Sequence, residues 1–359
     1  DRYLITSLIL QKPQFRAGIN GDGNFAAGLR LAERVTADEM TVANAQIVDG
    51  SAVITDARTD ETVVIGNIDG DVTMAALRGP FSFQGSAELD GRNYALRMST
   101  TAVDANGATQ LSAFVRPTSG AFSLAAEGML TTAGTPEFVG ALTYRQAPSG
   151  GATELEIAAR GDLVLTSKVE ASTTRILLSD SVLVPDQNRA GTRLEGVANI
   201  TLGTDRAFEA SITGGVLALP PRNAAATDVL APYEVIRLLA ELPPPPMPPL
   251  PGTLKLEAAE VDLRAVSFRN VRLQATADEA GWTVTDFSAL LPGGTRVDVD
   301  GVLSEAAGKP NFSGQVSLVS ERLDGLALVW RKAAEGNPLF NVPGALSAPE
   351  FNAAVHAVT

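Results

Sequence analysis

Cysteine is absent from this chain, and histidine occurs once, as His356. Without thiols there is no disulfide scaffold and no thiolate metal site. A single histidine near one terminus supports neither a Ser-His-Asp arrangement nor a histidine-ligated zinc. Positive charge is scarce, with 28 Lys and Arg against 41 Asp and Glu and a net charge of −13. This argues against nucleic acid, which is held by neutralising phosphates, as a partner, and against a polybasic lipid-surface patch. Aromatic residues make up only 5% of the 359 residues, too few for base-stacking platforms. With 45% apolar residues, the interior falls to Ala, Val, Leu and Ile. No run approaches the roughly 18 apolar residues of a membrane-spanning helix. Val235-Ile236-Arg237-Leu238-Leu239 is short and broken by charge. The chain begins at Asp1 rather than Met, and the expectation is a soluble piece of something longer, with any membrane anchor outside it.

What the chain does contain is alternation of period two. In Thr295-Arg296-Val297-Asp298-Val299-Asp300 the valines take one side and the charges the other. Leu254-Lys255-Leu256-Glu257, Val271-Arg272-Leu273-Gln274 and Trp282-Thr283-Val284-Thr285 repeat the pattern. Strands apolar on one side and solvated on the other belong to antiparallel sheets. Turn residues punctuate them: Asp90-Gly91 between two strand-like runs reads as a hairpin. Ile68-Asp69-Gly70-Asp71-Val72 and Leu291-Pro292-Gly293-Gly294-Thr295 read as further turns. The fold class expected is all-β, a long antiparallel meander with one or two short helices.

The helices are placed at about 224–242 and 323–334. The first ends at Pro243-Pro244-Pro245-Pro246-Met247-Pro248-Pro249-Leu250-Pro251, which is extended polyproline. That run is either a domain boundary or a stiff crossover between two parts of one sheet. The chain is accordingly divided into a first β segment (1–222), a helix and Pro-rich crossover (223–252) and a second β segment (253–359).

One unit repeats. Ala126-Glu127-Gly128-Met129-Leu130 leads through a loop to Pro136-Glu137-Phe138-Val139-Gly140, and Asp300-Gly301-Val302-Leu303 leads to Pro310-Asn311-Phe312-Ser313-Gly314. A weaker copy runs from Glu195-Gly196-Val197 to Phe208-Glu209-Ala210. The first two read as strand, loop, Pro-x-Phe-x-Gly, strand. The Phe falls on the inner face, and the Gly two residues on relieves or bends the sheet. A repeated hairpin unit makes an architecture that grows by adding strands.

Catalytic and metal patterns are weak. Asn20-Gly21-Asp22-Gly23-Asn24 starts like a calcium loop, but Phe25 and Leu31 stand where an EF-hand needs Gly and Glu; it reads as a turn. Asp298 and Asp300 alternate on a strand face shared with Arg296, a solvated charged surface rather than an acid–base pair. Gly66-Asn67-Ile68-Asp69-Gly70-Asp71 lacks the Gly-Lys-Ser/Thr of a phosphate loop. No cofactor, metal ligand or catalytic residue is assigned, and the chain is read as non-enzymatic.

The order of the phrases resembles the AsmA-like family of bacterial envelope proteins. Ala45-Gln46-Ile47-Val48 runs through Asp56-Ala57-Arg58-Thr59-Asp60-Glu61-Thr62 to Ile68-Asp69-Gly70-Asp71 and then Arg78-Gly79-Pro80-Phe81-Ser82-Phe83-Gln84-Gly85. Later, Gly281-Trp282-Thr283-Val284, Leu291-Pro292-Gly293-Gly294-Thr295, Asp300-Gly301 and the stretch from Phe312-Ser313-Gly314 to Leu328-Val329-Trp330 follow in the same order. The resemblance implies a U-shaped β groove lined by apolar side chains. It also implies a periplasmic location, an inner-membrane anchor outside this segment, phospholipid acyl chains and outer-membrane proteins as partners, and a part in moving phospholipid between membranes. The candidate groove-lining residues are Leu254, Leu256, Val271, Leu273, Val284, Val297, Val299, Phe138 and Phe312. The rival expectations are a dry β-scaffold or protein-interaction module of envelope assembly, and a β-rich glycoside hydrolase with two opposed carboxylates in one cleft.

Overall fold

Alternating side chains and closely spaced turn residues form strands and little else in the computed structural model of the chain. The structure describes residues 3–27, 40–76, 78–148, 161–187, 192–218, 250–262, 266–291, 294–306 and 309–320. Both expected helices, His356 and most of the proline run lie outside the described residues. Among the described residues every regular element is a strand, and the strands belong to one long mixed sheet that is not closed into a barrel. The chain divides into two compact units, Asp1–Ala147 with Asp162–Val182 and Asn199–Arg206, and Pro148–Gly161 with Leu183–Ala198 and Ala207–Thr359.

In the first unit β1 (Tyr3–Ile5), β2 (Leu8–Gln11) and β3 (Gln14–Ile19) run parallel to β5 (Met40–Asp56), and β4 (Phe25–Ala27) pairs with β3. Tyr3 faces Met40, Leu8 faces Ala45 and Gln14 faces Ser51. The spacing never changes, so β1 to β3 are one strand interrupted twice. From β5 onward the sheet is an antiparallel meander: β6 (Glu61–Met74), β7 (Phe81–Leu89), β8 (Arg92–Thr100), β9 (Ala108–Pro117), β10 (Phe122–Thr131), β11 (Glu137–Gln146) and β12 (Leu163–Ser172). Asp90 and Gly91, both at positive φ, close the two-residue hairpin between β7 and β8 as their residue types require. Asn20 to Asn24 is an Asx-type turn, with the Asn20 side chain accepting from the amides of Asp22 and Asn24.

The expected turn at Ile68–Val72 is instead the interior of β6. Its turn-like composition serves bulges. Asn67 sits at φ 46 opposite a stretch of β5 that carries Asp49 at φ 53, and the register shifts on both sides of β6 there. Asn and Asp tolerate this left-handed backbone, so the residues that would reverse the chain elsewhere only re-phase a strand here.

In the second unit β15 (Ala207–Ala218) and β16 (Gly252–Asp262) pair in parallel over their whole lengths, from Phe208 against Gly252 to Ala218 against Asp262. Parallel neighbours need a crossover of a dozen or more residues, and the connection between them contains the proline run. The sheet is therefore mixed rather than purely antiparallel. β17 (Ser267–Asp278), β18 (Gly281–Leu291), β19 (Thr295–Ala306) and β20 (Lys309–Ser320) continue as an antiparallel meander. β13 (Arg175–Val184) and β14 (Leu194–Thr201) each give residues to both units.

The repeat has a geometric meaning. Gly128 lies directly opposite Gly140, and Gly301 opposite Gly314. Gly70 and Gly85 make the same pair, an additional copy carried by Asp69-Gly70 and Phe83-Gln84-Gly85. A methyl group on Gly140 would stand 2.3 Å from the Glu127 carbonyl oxygen, and one on Gly314 would stand 2.1 Å from that of Asp300. The space is taken by a phenylalanine, two residues earlier at Gly140 and Gly314 and on the neighbouring strand at Gly70. The rings of Phe83, Phe138 and Phe312 lie within 3.0 Å of the positions that a Cβ on Gly70, Gly140 and Gly314 would occupy. Each ring thus covers bare backbone on the apolar side, which compensates the side chain that glycine lacks. The weaker copy differs: Phe208 covers Gly252 of the parallel neighbour and meets Trp282 edge-on at 6.2 Å.

Candidate functional site

Residues opposite one another across a ladder share a face, so the register decides which predicted residues come together. In the second unit Ile212 faces Leu256, Leu256 faces Leu273, Leu273 faces Phe287, Phe287 faces Val299, and Val299 faces Val316. This is one unbroken apolar row across six strands. Beside it lie Leu254, Ala275 and Val284 on one side, and Ala258, Val271, Ala289 and Val297 on the other. Phe312 faces Leu303, which faces Trp282. All the predicted lining residues except Phe138 therefore occupy one face of the second unit. Phe138 lies on the apolar face of the first, between Leu130 and Ala171.

Alternation alone misses Phe287. Counting by two from Val284 would bring Asp286 to the apolar face and turn Phe287 away. A bulge between Val284 and Phe287, seen in both neighbouring ladders, re-phases β18. The change of parity between Val284 and Phe287 was the available signal.

Burial falls off along the face. Val271, Val297 and Ala289 are 5%, 7% and 2% exposed, but Phe312 and Val316 are 41% and 49% exposed. Leu254, Leu256, Leu273, Val284, Phe287 and Val299 are half-buried. Among the described residues no large apolar side chain is fully buried. The opposite face is charged: Arg296 makes a bidentate pair with Asp298, with nitrogen to oxygen distances of 2.8 and 2.9 Å, which raises the Arg296 pKa. A cavity of about 600 Å³ lies where Asn270 bulges β17, and Glu257, Arg272, Ser288 and Arg296 line it from that polar face. Ala258, Val271 and Ala289 also line it, so it reaches the end of the apolar rows where the strand is bulged. Glu257 is the one carboxylate that lines it.

In the first unit the apolar face carries the row Val72, Phe83, Met98, Ala113, Ala126 and Leu142, and beside it Leu96, Val115, Leu124, Tyr144 and Leu165. Tyr144 stacks on Phe122 at 5.6 Å. Successive hairpins put the β5–β6 turn on one rim of this meander and the β12–β13 turn on the other. The two nevertheless meet: the Arg58 guanidinium donates to the Thr173 carbonyl oxygen at 2.8 Å. Thr173 Oγ1 donates to the carbonyl of Gly23 in the β3–β4 turn, and Thr135 Oγ1 to Asn24 Oδ1 at 2.9 Å. Sheet twist orients the two rims toward one another. A rotation of roughly 20–25° per strand over the seven steps from β5 to β12 sums to roughly 140–175°. That nearly reverses the strand ends, and the curl of the sheet toward its apolar face closes the remaining distance.

A cavity of about 450 Å³ lies where the rims meet. Leu130, Phe138 and Ala171 form its apolar side, with Pro136, Ile19 and Leu202, so the apolar face of this unit is the concave one. Two ion pairs border it. Arg58 holds Asp56 at 2.6 and 2.9 Å, and Arg206 holds Glu61 at 2.8 and 2.9 Å. The Asp56 carboxyl is lowered to about 2, first by hydrogen bonds from the Arg58 side chain, opposed by desolvation, and further by the Arg58 amide and the charges of Arg58 and Arg206. No group of three His, Cys, Asp or Glu side chains among the described residues is arranged to hold a metal ion. No described helix is long and apolar enough to cross a membrane.

Comparisons with protein-family models, curated proteins and solved structures found no match.

Proposed function

We propose that the chain binds phospholipid acyl chains along the apolar faces of its sheet and acts, without catalysis, as a segment of an AsmA-like protein. In that role it is periplasmic, tied to the inner membrane by an anchor outside this segment, and conducts lipid between the inner and outer membranes. The supporting observation is the row Leu256, Leu273, Phe287, Val299 and Val316, continuous across strands yet incompletely buried. A sheet face of this kind needs a second layer or an apolar ligand. Each methylene taken from water is worth about 0.8 kcal/mol, so two acyl chains gain on the order of 20 kcal/mol from such a face. An aliphatic trough resembles a bilayer interior as a solvent, and a chain moving along it meets only small changes in energy.

The test is native mass spectrometry with lipid extraction on the chain purified from bacterial lysate that contains membranes. Phospholipid retained by folded protein is the expected result. A folded, lipid-free protein that also takes up no added lipid would leave the structural scaffold as the better account.

A further inference from the structure

We propose that the cavity where the rims of the first unit meet is a subsite for the zwitterionic headgroup of an amphiphile whose chains lie on the adjoining apolar face. The inference rests on the acyl-chain reading above and adds to it the chemical class of the headgroup.

Charge and exposure carry it. The cavity has two cations and two carboxylates on its border, Arg58, Arg206, Asp56 and Glu61, and its floor is the apolar face at Leu130, Phe138 and Ala171. A bare anion placed there meets Asp56 and Glu61, and a bare cation meets Arg58 and Arg206. A zwitterion satisfies both signs at once. The two pairs also differ in kind. Arg58 and Asp56 are 12% and 20% exposed and tied to the Thr173 backbone, so they are a fixed wall. Arg206 and Glu61 are 43% and 51% exposed. An exposed ion pair contributes little to stability and opens at small cost. A phosphate then takes the fork of Arg206, for which its geometry is suited, and an ammonium takes the carboxylate of Glu61.

Size agrees with a headgroup. A volume of about 450 Å³ lies near the small end of ligand pockets. It admits a phosphoethanolamine group with its glycerol and leaves the acyl chains to continue over Phe138 and Leu130. Chain and headgroup thus meet their preferred surroundings in one place, an aliphatic wall beside paired charges.

The experiment is calorimetric titration of the full chain with dihexanoylphosphatidylethanolamine below its micelle concentration. Dihexanoylphosphatidylglycerol, glycerophosphoethanolamine and octanol are titrated in parallel. The zwitterionic lipid is expected to bind most tightly, and Arg206→Gln or Glu61→Gln to weaken it about ten-fold, the size of one charge-assisted contact, leaving octanol unchanged. Both substitutions lie at an exposed pair, and a circular dichroism spectrum checks that the strands persist. Tighter binding of the anionic lipid, or binding by both variants as tight as that of the parent, overturns the subsite while octanol uptake preserves the apolar face. Binding of glycerophosphoethanolamine as tight as the lipid makes this a site for a free zwitterion and overturns the amphiphile. Failure of octanol and both lipids together removes the acyl-chain reading itself.

Discussion

Arg58 reaches the carbonyl oxygen of Thr173 across 115 residues of sequence and from one rim of the meander to the other. The contact joins the two rims of a curled open sheet through a side chain rather than through a backbone ladder. Removing the guanidinium in Arg58→Ala leaves Asp56 without its partner and the Thr173 carbonyl without its donor. The expected cost is about 2 kcal/mol, with faster amide exchange confined to residues 56–60 and 173–174. Exchange that is unchanged in both turns would show that the rims are held by something else.

Acid acts on the same pair. The Asp56 pKa is lowered from 3.8 to about 2 in the folded protein, so the folded state binds fewer protons there than the unfolded chain. The stabilisation is complete above the ordinary carboxylate value and is lost as pH falls through about 2. Urea midpoints measured from pH 5 to pH 2 should therefore decline, and Asp56→Asn should flatten part of that decline. A slope identical to that of the parent would mean that Asp56 carries none of it.

The paired glycines make a sharper test of the sheet. A methyl group on Gly140 collides with the backbone of β10 and with the Phe138 ring, whereas one on Gly66 meets nothing within 4 Å. Gly140→Ala is expected to cost about 2–4 kcal/mol and Gly66→Ala about 0.5 kcal/mol or less. Urea denaturation of the two proteins decides it; similar midpoints would show that the β10–β11 ladder spreads without penalty.

Facing in the second unit is tested at adjacent positions. Val299 stands between Phe287 and Val316, and Asp298 turns to Arg296 on the other face. Val299→Asp puts a charge on the proposed acyl path, at a cost of several kcal/mol to an apolar ligand, and should abolish lipid retention. Asp298→Val should leave retention intact. Equal effects on folded protein, read by lipid extraction, would refute the assignment of faces.

The all-β class, the Asp90-Gly91 hairpin and the shared side of Val297 and Val299 follow from residue order, because period two and turn chemistry are local properties. So does the Phe-x-Gly repeat, although its purpose is visible only across a ladder, where Phe138 covers Gly140 and Gly140 meets Gly128. Composition misled at Ile68–Val72, where turn-forming residues build a bulge inside β6. Strict alternation also left Phe287 out of its row, because a bulge changes phase without changing residue types. The constant parallel registers of β1 to β3 on β5, and of β15 on β16, depend on strands distant in sequence. So does the meeting of Arg58 with Thr173. Twist is a few tens of degrees at each strand and has no signature in any single segment. Only its sum over seven ladders, together with the curl of the sheet, brings opposite rims together and places two ion pairs beside Phe138.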